Sequence, residues 1–336
     1  MTKDRRERSR PAAGVRAGEP CGNGAAGRSR AADGEGRARR TERKDGEAVR
    51  AKKELGQHFL TDLNIARRIC DSLSPAGPCA PAEEAGPAAG SGGECPSARE
   101  AAREQECLPR AVLEVGPGMG VLTQFLLQRT DMELYAAEID TESVVYLRRH
   151  YPQLESRLIE GDFLRMNLRE LFPRGVRVIG NFPYNISSQI FFRILEHRDL
   201  VPEAVGMVQR EVAVRIAEPP GSRDYGILSV LLQAWYDIDY LFTVSEGVFS
   251  PPPKVKSAVI RLRRNGVREL GCDERLFVRV VKASFGQRRK MLRNSLRAVF
   301  GDFGGEEHPF FASRAEQLGV PQFVELTRWI ADRLAR

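Results

Sequence analysis

The chain has 336 residues, of which 42% are hydrophobic, and a net charge of +7. This length allows about two domains, and the hydrophobic share suffices for a buried core. No stretch is apolar and long enough to cross a membrane, and no apolar run follows the charged first residues, so we expect neither a membrane protein nor a secreted one. Eight acidic residues among the first 50 argue against an organellar presequence, and we therefore expect the cytoplasm.

The charge is unevenly distributed along the chain. Residues 1–50 carry 14 basic and 8 acidic residues, residues 51–253 carry 20 and 28, and residues 254–300 carry 14 and 3. An acidic body followed by one basic segment predicts a polyanionic partner that binds at a defined place. The six cysteines form no CxxC pair, so we expect neither a metal site nor a disulfide framework.

Two segments are predicted to lie outside the folded body. Residues 1–50 consist largely of Arg, Gly, Ala and Glu, and they have too few large apolar side chains to order, which predicts a disordered basic tail. Order begins near Lys52, and Thr61 or Asp62 caps a helix that runs to about Leu73. Residues 74–109, rich in Pro, Gly and Ala, are predicted to form a flexible insertion.

The first buried-type strand, 111–115, leads into a glycine-rich turn. Gly116, Gly118 and Gly120 precede a predicted helix over 121–127. A turn of this kind lets a nucleotide-like ligand approach the backbone closely. The dinucleotide fingerprint GxGxxG would require glycine at position 121, which is Val121, so a ligand without a pyrophosphate fits better.

Acidic residues follow the next two predicted strands. Glu138 follows the strand over 133–137, where one carboxylate can accept hydrogen bonds from both hydroxyls of a ribose. Asp162 follows the strand over 156–160, where it can accept from an adenine amine. Acids at strand ends are common as helix caps, and either one alone would more often be structural than functional. The glycine turn, Glu138, Asp162 and the corner at Asn181 that comes next lie at the ends of successive strands. This series predicts a Rossmann-like methyltransferase that uses S-adenosylmethionine.

The fourth strand, 176–179, ends in a corner with unusual chemistry. Asn181 offers an amide, Phe182 a carbonyl whose direction Pro183 sets, and Tyr184 an aromatic face. Amide and carbonyl oxygens can accept both hydrogens of an exocyclic amine, and a ring can stack on the base that carries it. By itself the tetrad also fits an ordinary turn with a buried tyrosine, but the preceding series favours the catalytic interpretation.

The remaining pattern predicts three more strands and a helical end. Strands over 203–208, 238–244 and 257–263 complete a mostly parallel sheet of seven strands, with helices over 211–217 and 225–236 between them. Helices over 274–283, 287–300 and 321–334 form a small domain. Its cluster of Arg288, Arg289, Lys290 and Arg293 predicts a phosphate-contacting surface.

These features resemble the ribosomal RNA adenine N6,N6-dimethyltransferase family, and most closely its bacterial small-subunit (16S) rRNA enzymes. The resemblance rests on seven blocks that occur in family order at 55–60, 114–120, 138, 161–162, 181–188, 251–259 and 285–296. It implies a methyltransferase domain over 51–265 and a helical RNA-binding domain over 266–336. It also implies dimethylation of two adjacent adenosines in the 3′-terminal hairpin of small-subunit rRNA, within a pre-ribosomal 30S particle, and we expect a monomer.

The resemblance also assigns site residues. The implied cofactor contacts are His58, Leu60, Gly116, Gly118, Glu138, Asp162 and Asn181, and the implied catalytic residues are Asn181, Phe182, Pro183 and Tyr184. His58 stands where many members have Asn, and Phe182 where many have Leu. We expect the Phe182 side chain to matter little, since its backbone carbonyl is the functional group.

Three alternatives remain open at this point. A relative that acts on large-subunit rRNA and a DNA adenine methylase would share the chemistry. A non-catalytic nucleic-acid-binding factor would share only the fold, as some mitochondrial transcription factors of this superfamily do. The complete series of acids and the intact tetrad 181–184 argue against lost catalysis, and the basic segment after residue 265 argues against a DNA enzyme.

Overall fold

The computed structural model describes residues 49, 52, 55–76 and 108–335. The predicted tail over 1–50, apart from Val49, and most of the predicted insertion over 74–109 lie outside these residues. Within the described part of the chain, no helix is long and apolar enough to span a membrane.

Nine strands and ten helices are described over these residues. The strands are β1 (Phe59–Leu60), β2 (Ala111–Val115), β3 (Glu133–Glu138), β4 (Leu158–Glu160), β5 (Arg177–Asn181), β6 (Glu203–Gln209), β7 (Tyr236–Val244), β8 (Phe249–Ser250) and β9 (Ser257–Arg264). The helices are α1 (Leu63–Asp71), α2 (Thr123–Leu126), α3 (Thr141–His150), α4 (Leu168–Leu171), α5 (Ser187–Glu196), α6 (Arg210–Ala217), α7 (Ile227–Gln233), α8 (Glu274–Gly286), α9 (Leu292–Phe300) and α10 (Val320–Leu334).

Seven of the strands form one sheet in the order β4-β3-β2-β5-β6-β9-β7. The pairs from β4 to β6 are parallel, whereas β9 pairs antiparallel with both β6 and β7. The predicted seven-stranded, mostly parallel sheet is confirmed. Strand order reverses between β2 and β5, and the carboxyl ends of the strands around such a reversal form a natural ligand crevice.

Two hydrophobic layers cover the two faces of the sheet. One contains α1, α2 and α3, with Ile69, Leu126 and Leu147 fully or almost fully buried. The other contains α4 to α7 and continues without interruption into the C-terminal helices, through Phe277 of α8 and Phe323 of α10. These helices therefore share a core with the sheet-bearing part, and the boundary at 265 stays a prediction.

Two predicted helices begin and end differently in the structure. The helix predicted over 287–300 starts only at Leu292, because Gln287 leaves helical geometry and Met291 is extended. The helix predicted over 225–236 covers Ile227–Gln233, since the backbone of Tyr236 pairs with Arg264 in the sheet. The basic residues 288–290 thus lie in a turn between two helices.

Candidate active site

A cavity of about 190 Å³ lies at the carboxyl ends of β2 to β5. Four strand ends and the N-terminal segment 55–59 line it, and the corner 181–186 closes it on one side. The sequence-predicted glycine turn, acids and tetrad therefore meet around one cavity.

The glycine turn after β2 supports the carboxylate of Glu138. Gly116 and Gly118 have φ of +68° and +56°, a region that favours glycine. A β-carbon on Gly116 would meet only Pro183, at 4.0 Å, so the backbone there faces open space. The N–H of Gly118 donates to Oε2 of Glu138 at 3.0 Å.

Both carboxylate oxygens of Glu138 accept hydrogen bonds from backbone N–H groups. Its Oε1 accepts from the backbone N–H groups of Ile139 and Asp140, each at 2.9 Å. The residue is only 3% exposed, and burial raises the pKa of its carboxyl, although the three N–H donors favour the ionised form. The result is a fixed acceptor at the cavity wall, as gripping a ribose requires.

Asp162 follows β4 and also borders the cavity. Its Oδ1 accepts from the N–H of Leu164 at 2.9 Å, and its Oδ2 lies 3.6 Å from Nε of Arg165. The structure thus gives this residue both the cap role and the place in the cavity that the sequence allowed as alternatives.

Asn181 is the last residue of β5, and the N-terminal segment orients its amide. The Nδ2 group donates to the backbone carbonyl of His58 at 2.9 Å. Among the described residues, the amide oxygen Oδ1 has no hydrogen-bond partner, so it remains available as an acceptor in the cavity. Because the amide is held from one end, its acceptor has a defined direction.

The rings of Tyr184 and His58 form an aromatic pair at the corner 181–186. Their ring centroids lie 5.2 Å apart with the planes tilted by 32°. The Tyr184 hydroxyl is hydrogen-bonded to Oγ of Ser257, and burial raises its pKa. Nδ1 of His58 donates to the carbonyl of Pro251 at 2.8 Å. The His58 ring is thus tied to the wall around Tyr184, a packing that the expected cofactor contact did not include.

Phe182 has a packing role that the sequence did not reveal. Phe182 is completely buried, and its ring meets the Phe191 ring edge-on, with 5.7 Å between the two centroids. A β-carbon on Gly206 would approach the Phe182 ring to 2.4 Å. Gly180 of β5, whose β-carbon would lie 3.0 Å from the ring, and Gly206 of β6 therefore both make room for it. The expectation that this side chain matters little does not extend to packing.

Several assigned residues lie away from the cavity. Leu60 is buried in the core and does not line the cavity. In the basic cluster, the Arg288 guanidinium donates to the backbone carbonyls of Arg223 and Tyr225, and Arg293 is paired with Glu307 at 2.6 Å. Arg289 and Lys290 are exposed. The four cations therefore do not form one uniformly accessible surface.

A buried acid behind the glycine turn was not singled out by its sequence position. Glu114 is 1% exposed, and Oγ1 of Thr123 donates to its Oε2 at 2.6 Å. Burial raises the pKa of its carboxyl to about 7. Ser257 and the Pro251 carbonyl were missed as well, since their roles arise only from contacts made across the chain.

The chemistry of the cavity fits S-adenosylmethionine. Glu138 offers a doubly anchored acceptor for ribose hydroxyls, Asp162 a carboxylate for an adenine amine, and Gly116 an open stretch of backbone. The fold and this site define a Rossmann-like class I methyltransferase.

Comparison with known proteins defines the family. A model of the family "Ribosomal RNA adenine dimethylase" matches residues 48–313. The ribosomal RNA small subunit methyltransferase A of Porphyromonas gingivalis (strain ATCC 33277) is 54% identical over 282 residues, covering 83% of this chain and 97% of the relative. The protein of the same description from Cytophaga hutchinsonii is 47% identical over 287 residues, covering 85% and 100%. The chain belongs to the ribosomal RNA adenine dimethylase family and is a methyltransferase that uses S-adenosylmethionine.

Solved structures agree with the fold. A dimethyladenosine transferase from Plasmodium falciparum superimposes with a TM-score of 0.56 at 23% identity, covering 66% of this chain and 90% of that one. The 23S rRNA methyltransferase ErmE superimposes with a TM-score of 0.50 at 23% identity, covering 83% of this chain and 100% of that one.

Proposed function

We propose that this protein dimethylates the N6 atoms of two adjacent adenosines in the 3′-terminal hairpin of small-subunit (16S) rRNA. The observation that carries the proposal is the oriented amide of Asn181 beside Tyr184, in the same cavity as Glu138 and Asp162. The names of the similar proteins from Porphyromonas gingivalis and Cytophaga hutchinsonii support the small subunit as substrate. We place the reaction in the cytoplasm, on a pre-ribosomal 30S particle, with the protein acting as a monomer.

The chemical task of the protein is to make a poor nucleophile react. Bound S-adenosylmethionine supplies a methyl group already activated on its sulfonium. The lone pair of the adenine N6 is delocalised into the ring, so the barrier lies in the amine. The Asn181 oxygen and the Phe182 carbonyl accept its hydrogens, favour the pyramidal form and aim the lone pair. No nucleophilic side chain is required.

The target base must leave its stack to reach the corner. Tyr184 gives it a new stacking face, and base stacking on an aromatic ring is worth about 1–3 kcal/mol. Since Asn181 and Phe182 act only through hydrogen bonds, they remain unchanged after one transfer. A monomethylated adenosine still has one N6 hydrogen for these acceptors, so it can react a second time.

The deciding experiment maps dimethyladenosine in rRNA from cells with and without the protein. We expect two adjacent dimethylated positions near the 3′ end of small-subunit rRNA that disappear on deletion and return with the wild-type gene, but not with Asn181→Ala. Purified protein should also label small-subunit particles rather than large-subunit rRNA or duplex DNA. Loss of a large-subunit or DNA modification instead would contradict the proposal.

A further inference from the structure

A second concave surface lies between α5 and α8, on the face of the sheet that carries the C-terminal helices. Its volume is about 1000 Å³, and it is open to solvent. We call it the α5–α8 groove. Its principal lining residues are Phe192 and Arg193 of α5, Arg198 after it, and Arg275, Arg279 and Lys282 of α8.

The groove has an excess of positive charge. Five cations and two carboxylates line it, and the carboxylates are both engaged: Glu196 pairs with Arg193 at 2.6 Å, and Glu274 with Arg198. Arg275, Arg279 and Lys282 have no carboxylate within 4.0 Å among the residues that the structure describes. The groove therefore presents three uncompensated charges.

The spacing of these cations puts them on one face of α8. Positions 275, 279 and 282 are related by i, i+4 and i+7, and all three side chains are exposed. Like charges at such spacing destabilise a helix by a few tenths of a kcal/mol per pair. Because both carboxylates of the groove are already paired with other cations, this face of α8 presents a surface suited to a polyanion.

An aromatic ring lies among the charges. Phe192 is 36% exposed, and Nζ of Lys282 lies 5.8 Å from its ring centroid. Cationic grooves that also offer exposed rings are typical of single-stranded nucleic-acid sites, where cations contact phosphates and rings stack on bases.

The groove borders the active-site cavity. Leu164, which follows Asp162 by two residues, lines both of them. Gln189, in the first turn of α5, lines the groove, and α5 begins directly after the corner 181–186. A strand whose adenosine enters the cavity can thus continue into the groove.

We infer that the α5–α8 groove binds the RNA backbone that flanks the target adenosine, with phosphates on Arg275, Arg279 and Lys282 and a base against Phe192. This inference rests on the proposed function. It places RNA on α8 itself rather than on the neighbouring turn, where Arg288 is occupied by backbone carbonyls.

The test neutralises the three cations together, as Arg275→Gln, Arg279→Gln and Lys282→Gln in the full chain. Binding of the small-subunit rRNA hairpin should weaken roughly 10²-fold at 0.1 M salt, and the slope of log affinity against log salt should decrease by about 2, since each lost phosphate contact on a single strand removes about 0.7. Binding of S-adenosylmethionine should not change.

The matched control is Arg67→Gln with Arg68→Gln on α1. These exposed cations also lie over aromatic rings, at 5.1 Å from Phe125 and 3.9 Å from Phe242, but α1 covers the opposite face of the sheet. We expect a loss of no more than a few fold. Normal RNA affinity in the triple variant, or an equal loss in the control, overturns the inference. Methylation of small-subunit particles by the wild-type protein tests the proposed function separately. If that methylation is seen, the proposed function stands even when the groove variants overturn the inference; if it is not seen, the proposed function fails whatever the variants show.

Discussion

The active-site cavity and the α5–α8 groove differ in how their polar groups are partnered. In the cavity, Glu138, Asn181 and the Tyr184 hydroxyl are each held by hydrogen bonds from neighbouring elements. In the groove, Arg275, Arg279 and Lys282 are exposed and have no carboxylate partner among the described residues. A group that must meet a reacting atom is fixed in advance, whereas a group that meets a flexible polyanion need not be.

This difference predicts where substitutions act. Changing the cavity should alter turnover or cofactor affinity with little effect on RNA binding, because preorganised groups contribute mainly at the reacting atoms. Changing the groove should do the reverse. Three further predictions test the cavity side of the comparison, from the largest expected effect to the smallest, and a fourth concerns the buried acid behind the glycine turn.

Asn181→Ala should have the largest effect. It removes an oriented acceptor that is used when the N6 amine becomes pyramidal, and we expect turnover to fall roughly 10²–10³-fold. Single-turnover rates at saturating S-adenosylmethionine separate this loss from weaker cofactor binding. Asn294→Ala, an exposed position on α9, is the control and should behave as wild type. A normal rate for the Asn181 variant would exclude its catalytic role.

Glu138→Ala should act on the cofactor alone. Loss of the anchored acceptor is expected to weaken S-adenosylmethionine binding by about 1–3 kcal/mol, which calorimetry measures directly. Glu133→Ala, at the opposite and exposed end of β3, should leave the affinity unchanged. Equal affinities of the two variants would remove Glu138 from the site.

Ser257→Ala and Tyr184→Phe should have similar, smaller effects on turnover. Each breaks the same hydrogen bond, whose net value is about 0.5–1.5 kcal/mol, so a decrease of roughly 2–10-fold is expected. The double variant should be no worse than either single one, because the residues act as a unit. Additive losses would show that Ser257 does not position the ring.

Glu114 should make folding stability depend on pH. Its folded pKa of about 7 is above the ordinary 4.5, so the native state binds a proton more tightly than the unfolded one. The contribution is fully present below about pH 4.5 and is lost as the pH rises through 7, on the order of 1–3 kcal/mol. Urea unfolding at pH 5 and 8 should show this decrease in wild type but not in Glu114→Gln. A parallel decrease in both would place the titrating group elsewhere.

The sequence alone determined the sheet and the order of the site along it. Each of Gly116, Glu138, Asp162 and Asn181 lies within two residues of the end of a predicted strand, so its place depends on local pattern and on the geometry of parallel sheets. Strands β2 and β5 illustrate this, since their predicted and observed limits differ by two residues at most. Local sequence signals therefore sufficed to predict that these four residues meet at one edge of the sheet.

Only the tertiary structure decided how those residues are held and which cations stay accessible. Tyr184 meets Ser257 across 73 residues of sequence, and His58 meets Pro251 across 193. No local pattern encodes such pairs, because they depend on how β1, β8 and β9 close around the corner. The run 288–290 looked accessible in sequence, yet the fold turns Arg288 toward backbone carbonyls. Arg275, Arg279 and Lys282 of α8, by contrast, have no ion-pair partner among the residues that the structure describes. The number of charged side chains in a segment can be read from the sequence. Whether each of them finds a carboxylate or carbonyl partner depends on which elements pack together.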